Sequence, residues 1–184
     1  MRVIAGSARS LPLMTPDGMD TRPTQDRIKE TLFNILQWDI PDCVFIDLFA
    51  GSGGIGIEAL SRGAAKAYFV DHSQRCEECI RENLRFTKLS DKAVILRQEA
   101  ANGLLSIYEK HADIIFMDPP YGQKAELPVF AQLLHSHFCD EDTVIILEED
   151  LNFDPDSVTD LGFTLTRTKK YKTNQHLFFR KNQG

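Results

Sequence analysis

Residues 44–56 are Val-Phe-Ile-Asp-Leu-Phe-Ala-Gly-Ser-Gly-Gly-Ile-Gly, an apolar run that leads into a glycine-rich segment. The run Val44–Leu48 has the length and apolar character of a buried strand, and a helical pattern begins at Gly54. Glycine allows the chain to turn sharply between the two and allows a ligand to approach the backbone closely. The segment therefore predicts a strand, a tight turn and a helix, which is a unit of an α/β fold.

Short apolar runs and amphipathic stretches continue to alternate along the chain. Further strands are predicted at 67–70, 93–96, 113–117 and 143–147, and helices from Ser73, near Ala100 and near Leu127. Apolar strands separated by helices indicate a mostly parallel sheet covered on both faces, a doubly wound fold. The end of the chain differs, because residues 163–167 and 176–180 are joined only by a short polar stretch. These two runs predict an antiparallel hairpin.

The region before the first strand has a different character. Residues 1–23 contain two glycines and three prolines and are predicted to form an extended arm or a small hairpin. Thr24 is a suitable N-cap for a helix that continues to about Trp38, and Pro41 ends that segment. The length of 184 residues suits one domain spanning 1–184.

The charges of the chain are unevenly distributed. The net charge of −6 argues mildly against a protein that coats nucleic acid. However, residues 164–184 carry six cationic side chains and no acid, and four arginines lie between Arg2 and Arg27. These basic ends are either ordinary solvated charge or a local surface that contacts phosphates.

No stretch approaches the roughly 20 apolar residues of a membrane span, so we expect a soluble, cytoplasmic protein without a membrane partner.

Four cysteines are present, and no secretory signal is recognisable, so a disulfide framework is not expected. Cys76 and Cys79 are close in sequence, but a structural zinc would need two further ligands at matching spacing. We interpret these cysteines as incidental and predict no metal site.

A nucleoside-binding site is predicted at the carboxyl ends of the first strands. The acid Asp71 ends the second strand, 20 residues after Gly51, and a carboxylate there can accept hydrogen bonds from ribose hydroxyls. Glu99, at the end of the third strand, could accept from an adenine amino group or could be a solvated surface acid. The glycine pattern alone also occurs in dinucleotide enzymes and in turns that only permit close packing.

The fourth strand leads into the motif Asp118-Pro119-Pro120-Tyr121. An aromatic amine is a poor nucleophile, so an enzyme must orient its lone pair towards the group that it attacks. The Asp118 carboxylate and the Pro119 carbonyl can each accept an amino hydrogen, and consecutive prolines fix the backbone that aims them. Tyr121 offers a ring on which a base can stack. Otherwise the motif is a rigid turn that closes a strand.

This motif resembles the signature of the amino-methyltransferases that act on nucleic acids, in which Asp or Asn precedes Pro-Pro and an aromatic residue. The signature leaves DNA adenine, RNA guanine and protein glutamine as acceptors. Over nearly the whole chain, the sequence is similar to the RsmD-type methyltransferases, which modify guanine N2 in small-subunit ribosomal RNA. The similarity includes Val3–Gly6 with Arg9, Arg22–Thr24 with Asp26 and Arg27, residues 30–34, 47–53 and 58–63, and the two closing strands.

The resemblance implies a Rossmann-like fold with a seven-stranded sheet whose last strand is reversed, S-adenosylmethionine as methyl donor, and 16S ribosomal RNA in a 30S subunit or assembly intermediate as partner. It also implies a monomer. Asp118, Pro119, Pro120 and Tyr121 would be catalytic. The implied cofactor residues are Asp47, near the amino-acid part, and Phe49, Ala50, Gly51, Gly53, Asp71, Glu99 and Ala100. The implied RNA-binding residues are Arg9, Arg22, Thr24, Arg27, Lys169 and Lys170.

Some positions depart from the family pattern. The family often has Phe in place of Tyr121, Glu in place of Asp71, and Asn or Asp in place of Glu99. Tyr121 keeps a stacking ring and Asp71 keeps an acid. Glu99 has a longer side chain than the Asn or Asp that the family has at this position. Arg22 and Arg27 could instead form a salt-bridged helix start with Asp26 and Glu30.

Three other functions remain open from the sequence. A DNA adenine-N6 methyltransferase would share both motifs, but such enzymes usually carry a separate target-recognition region. An RNA-binding ribosome-assembly factor could retain an inactive cofactor site. An NAD-dependent oxidoreductase is disfavoured, because nothing after the fourth strand resembles a hydride-transfer site.

Overall fold

The computed structural model describes residues 1–16 and 23–183, apart from the side chains of Pro23 and Thr24. The helices are α1 (Pro23–Ile35), α2 (Gly54–Ser61), α3 (Gln74–Thr87), α4 (Ala100–Gly103), α5 (Glu126–Leu133) and α6 (Asp156–Thr159). The strands are β1 (Val44–Leu48), β2 (Lys66–Asp71), β3 (Ala93–Arg97), β4 (Ile114–Met117), β5 (Val144–Asp150), β6 (Phe163–Lys170) and β7 (Asn174–Lys181). None of the described helices has the length and apolar character needed to cross a membrane.

The strands form one seven-stranded sheet in the order β3-β2-β1-β4-β5-β7-β6. Strands β1 to β5 pair in parallel, whereas β7 is antiparallel to both β5 and β6. The predicted doubly wound sheet, its closing hairpin and its reversed last strand are confirmed. Chain order reverses between β1 and β4, and ligands of open α/β sheets bind in the crevice at such a point.

Helices cover both faces of the sheet, as predicted. One apolar core contains Leu32 and Phe33 of α1 together with residues of α2 and α3. The core on the opposite face contains Phe130 and Leu133 of α5 together with residues of α4 and α6. Because the strands are buried on both sides, their continuous apolar runs follow from the architecture.

A buried carboxylate holds the N-terminal arm to α2. Glu58 is fully buried and accepts hydrogen bonds from the backbone N–H groups of Ile4 (2.9 Å) and Ala5 (3.0 Å). Its carboxylate also contacts Arg62 Nε (2.8 Å) and the buried Lys29 Nζ (3.3 Å). Burial lowers the pKa of Lys29, and the charge of Glu58 opposes that shift. The arm, α1 and α2 therefore share one charged cluster.

Gly6 brings the arm into direct contact with the last turn of α2. Its φ of +87° lies in the left-handed region, and an added Cβ would overlap the backbone of Ser61. Ser7 N donates to the Ser61 carbonyl (2.8 Å), and Ser61 Oγ donates to the Ala5 carbonyl (2.6 Å). Arg2 and Pro12 also form one antiparallel bridge. The first 13 residues are thus folded back on themselves and fixed to α2.

Several predicted boundaries were wrong. Helix α1 begins at Pro23, so Thr24 lies in the first turn instead of at the N-cap; the fixed φ of proline suits the first helical position. The helix ends at Ile35, and Trp38 beyond it is 85% exposed. The helix near Ala100 has only four residues, followed by a 3₁₀ turn at Leu104–Ser106. Both hairpin strands are longer than predicted, because backbone pairing continues past the apolar residues.

Candidate functional site

In the turn after β1, three alternate residues have a positive φ. These are Phe49 (φ 57°), Gly51 (φ 57°) and Gly53 (φ 78°). The sequence predicted a sharp turn at these glycines. It did not predict the left-handed conformation of Phe49, which a side chain disfavours. Gly56 is required for another reason, since a Cβ there would overlap the Phe69 ring of β2. The turn brings α2 close to the sheet, and Gly51 of the turn lines the crevice.

Asp47 is a buried acid directly below this turn. Its side chain is 1% exposed, and Oδ2 accepts a hydrogen bond from Gly56 N (2.9 Å). Burial raises the pKa of Asp47 to about 8, and the nearby charge of Asp71 adds to the rise, although the Gly56 hydrogen bond opposes it. The protonated form is therefore favoured at neutral pH.

Asp71 stabilises the turn from the end of β2. Its Oδ2 accepts from Gly51 N (3.0 Å), and its Oδ1 accepts from the backbone N–H of Ser73 (2.9 Å), the N-cap of α3. Each carboxylate oxygen has two lone pairs, so both oxygens keep acceptor capacity towards the crevice. A ribose with two adjacent hydroxyls could use that capacity.

Two neighbouring cavities contain most of the predicted cofactor residues. The larger, of about 680 Å³, is lined by Phe49, Gly51, Asp71, Glu99, Ala100 and the motif 118–121. The smaller, of about 290 Å³, is lined by Asp47, Ala50 and Gly54 and shares Phe49, Gly51 and Asp118 with the first. Gly53 lines neither cavity. Its role is conformational, because it is the left-handed N-cap of α2. The volumes fall in the range of about 300–1,000 Å³ that is typical of small-molecule sites.

The motif after β4 lies at the junction of these cavities. Asp118 lines both of them, whereas Pro119, Pro120 and Tyr121 line only the larger one. Pro119 is buried, whereas Tyr121 is 44% exposed. Among the described residues no N–H or O–H group donates to the Asp118 carboxylate, so both of its oxygens remain available as acceptors.

The electrostatic environment of Asp118 is acidic. Desolvation by the surrounding protein raises the pKa of the Asp118 carboxyl, and the charges of Glu148, Asp47 and Glu149 raise it further. The residue as a whole is nevertheless exposed to solvent. A ligand that donates hydrogen bonds or carries positive charge would relieve this repulsion.

The predicted RNA-binding residues do not form one group. Arg9 and Arg27 line a polar cavity of about 460 Å³ beside the arm, whereas Lys169 and Lys170 lie on β6. Arg27 is exposed and forms no ion pair with a described residue; Asp26 instead approaches Arg2, at 3.8 Å. Thr24 is on α1 and Arg22 lies outside the described residues.

Sequence reasoning missed several side chains that line the site. Gln25 borders both cavities, and Glu148 borders the larger one beside Asp118. Glu148 could have been found, because it follows the apolar run of β5 at the carboxyl edge of the sheet. His176 could not, because its place beside Glu148 depends on β7 pairing with β5.

The four cysteines are buried free thiols. Burial raises the pKa of both Cys76 and Cys79. Cys79 Sγ donates to the Met14 carbonyl (3.3 Å), where Asn83 Nδ2 also donates (2.9 Å). Cys79 thus contributes to the attachment of the arm to α3.

The sequence matches the family described as Conserved hypothetical protein 95 over residues 1–180. The chain belongs to this family. The RsmD-type resemblance is thereby confirmed, and the fold is that of the Rossmann-like methyltransferases.

Three relatives support the assignment. YlbH of Bacillus subtilis is 35% identical over 91% of this chain and 93% of its own length. Ribosomal RNA small subunit methyltransferase D of Haemophilus influenzae is 33% identical over 92% of this chain and 88% of its own length. The solved structure of Escherichia coli yhhF superposes with a TM-score of 0.82 and 28% identity, covering 100% of this chain and 99% of that one.

Proposed function

We propose that this protein transfers the methyl group of S-adenosylmethionine to the exocyclic N2 amine of one guanine in 16S ribosomal RNA. The observation that carries the proposal is the position of Asp118, which borders both the cavity of Asp71 and that of Asp47. A cofactor held at one side and an amine held at the other would meet there. The name of the Haemophilus relative supports ribosomal RNA as the substrate class.

The cofactor residues suit S-adenosylmethionine. Asp71 would accept from the ribose hydroxyls, Glu99 would accept from the adenine amino group, and Ala100 would border the base. Phe49, Ala50 and Gly51 would hold the cofactor at the turn, and Asp47 would neutralise its amino group. The bound cofactor supplies an activated methyl group on a sulfonium.

The protein's own contribution would be to position the amine. Asp118 and the Pro119 carbonyl each accept one N2 hydrogen, and Tyr121 stacks on the base. The bound cofactor would supply its methyl group to the nitrogen lone pair that these residues orient, and the N2 proton would leave to Asp118 or to water. Orientation of this kind can supply about 7–11 kcal/mol of barrier reduction.

The RNA would lie along the basic side chains around the crevice. Arg9 and Arg27 would contact phosphates beside the arm, and we expect Arg22 and Thr24 to contribute to the same contact. Lys169 and Lys170 of β6 would contact the RNA from the other side of the site. We expect the protein to act as a monomer on a 30S subunit or an assembly intermediate.

The function is tested with labelled S-adenosylmethionine and 30S particles that lack small-subunit guanine-N2 methylation, followed by mapping of the modified base. Label on N2 of one guanine is expected, and naked 16S RNA tests whether an assembled particle is needed. Label on adenine in DNA would instead indicate a DNA methyltransferase. No transfer and no cofactor binding would indicate an assembly factor.

The raised pKa of Asp47 predicts how cofactor affinity depends on pH. Only the ionised carboxylate attracts a cationic amino group, so Asp47 must lose its proton on binding. Between pH 6 and 8, affinity is expected to increase up to about tenfold per pH unit. Titration calorimetry at pH 7 in buffers of different ionisation enthalpy should detect release of about one proton to the buffer.

Asp47→Asn is the matched control, because its amide oxygen can still accept the Gly56 hydrogen bond. Its cofactor affinity is expected to be lower at pH 8 and flat between pH 6 and 8. A raised carboxyl pKa makes the free energy of unfolding fall as pH rises from about 4 to about 8. The variant should therefore be at least as stable as wild type at pH 8. Equal proton release from both proteins would contradict the assignment.

A further inference from the structure

A second carboxylate lies beside Asp118 at the carboxyl edge of the sheet. Met117 of β4 is paired with Leu147 of β5, so the next residues, Asp118 and Glu148, are neighbours across the two strands. Both line the larger cavity, where Tyr121 offers its ring. The site therefore presents two adjacent hydrogen-bond acceptors along one wall.

Glu148 is held in place from the side away from Asp118. Asn174 Nδ2 donates to its Oε1 (2.7 Å), and His176 Nε2 lies 2.9 Å from its Oε2. His176 is 1% exposed, and its Nδ1 lies 3.1 Å from Tyr171 Oη. A neutral imidazole that donates from Nε2 to Glu148 and accepts the tyrosine proton at Nδ1 satisfies all of these contacts.

These contacts leave acceptor capacity on Glu148. A carboxylate has about four lone-pair sites, and two are used by Asn174 and His176. The remaining sites belong to a side chain whose position is fixed by two buried strands. The Glu148 carboxylate can therefore accept a hydrogen bond from a donor on a base that is stacked in the cavity.

We propose that Glu148 selects guanine by accepting its N1–H while Asp118 holds the adjacent N2 amine. This inference rests on the proposed function. The Watson–Crick edge of guanine has N1–H and N2–H₂ donors side by side, which matches two adjacent carboxylates. Adenine presents a lone pair at N1 that a carboxylate would repel. A site built for a donor rejects an analogue that lacks it much more strongly than an apolar pocket would.

The test compares guanine with 2-aminopurine at the mapped target position of reconstituted small-subunit particles. 2-Aminopurine keeps the 2-amino group, but it lacks O6 and its N1 is an acceptor, so the variants are needed to assign the discrimination to N1. Wild type is expected to favour guanine by about 100-fold or more in kcat/KM, since buried polar groups would be left unpaired on the analogue. Glu148→Gln can donate from its amide to N1 of the analogue, so its preference is expected to fall to about tenfold or less.

Glu149→Gln is the control on the same strand. Glu149 is buried, and an amide can still accept the Asp150 N hydrogen bond that its Oε2 accepts at 3.0 Å. The variant should keep the wild-type preference for guanine. His176→Gln, which alters the support of Glu148, should show an intermediate preference, and thermal unfolding establishes that each variant folds.

The outcomes separate the two levels of the proposal. If wild type labels no guanine, the proposed function fails. If wild type labels guanine and 2-aminopurine equally, or if Glu148→Gln slows both to the same extent, Glu148 has only a structural role and the selection hypothesis is overturned. A wild-type ratio near one overturns the hypothesis even if Glu148→Gln does not fold. A high wild-type ratio supports it only together with a lower ratio in Glu148→Gln or His176→Gln, because guanine and 2-aminopurine also differ at O6.

Discussion

Replacement of Asp118 by alanine is expected to slow methyl transfer about 10²–10³-fold, the loss that follows removal of one oriented hydrogen-bonding group from an active site. The carboxylate lies where the two cavities meet, and no described group satisfies it within the protein. Without it the amine would lose the acceptor that orients its lone pair. Single-turnover rates with saturating S-adenosylmethionine measure the effect apart from cofactor binding.

Asp118→Asn separates positioning from proton removal. The amide oxygen can still accept an N2 hydrogen, and the signature shared by the amino-methyltransferases that this motif resembles allows Asn at this position. We therefore expect the asparagine variant to remain within about tenfold of wild type. If it is as slow as the alanine variant, Asp118 acts as a base.

The pH profile gives an independent measurement. The pKa of Asp118 is raised, so the ionised form increases as pH rises through that pKa. If the ionised carboxylate is the better acceptor, the wild-type rate should increase with pH over the same range. The asparagine variant should lack that step.

Replacement of Glu58 by alanine is expected to produce the largest loss of stability. The carboxylate is fully buried and receives two backbone N–H groups of the arm as well as Lys29 and Arg62. Breaking a buried ion pair by removing one partner costs about 3–5 kcal/mol. For a chain of this size, Tm should fall by about 6–20 °C in thermal unfolding followed by circular dichroism.

Glu109→Ala is the matched control for this prediction. Glu109 also pairs with a lysine, Lys66 at 2.7 Å, but both side chains are partly exposed. An exposed ion pair is worth about 0–1 kcal/mol. Glu109 also accepts a hydrogen bond from Tyr68 Oη (2.7 Å), so Glu109→Ala should lose about 1–3 kcal/mol, less than Glu58→Ala. Adding Lys29→Met to Glu58→Ala should recover part of the loss, because it removes the uncompensated buried cation. An equal effect of the Glu58 and Glu109 variants would show that the arm is not held by this cluster.

Most of the sheet could be predicted from local patterns. The apolar runs of β1 to β5 identify buried parallel strands, and the glycines from Gly51 to Gly56 identify the turn. The boundaries of β6 and β7 were less predictable, because backbone hydrogen bonding continues past their apolar residues. Helix α1 instead ends at Ile35, before the predicted end at about Trp38. The left-handed Phe49 had no signal at all, since its conformation is imposed by the turn around it.

The sequence could predict only those site residues whose position follows from the end of a nearby strand. Asp47, Asp71 and Asp118 each end or follow a strand, so the rule for parallel sheets places them at one edge. Glu148 and His176 meet because two strands distant along the chain are paired. Glu58 looks like a helix-surface acid in the sequence, and only the folded arm shows its two backbone donors.

The position of β7 between β5 and β6 also determines the order in which the sheet can be completed during translation. Strand β6 is synthesised first but has no neighbour in the sheet until residues 174–181 leave the ribosome. Until then the edge of β5 is unpaired, and Glu148 lacks His176. If Glu148 selects the base as proposed, the site of a nascent chain would therefore be incomplete until residues 174–181 pair with β5.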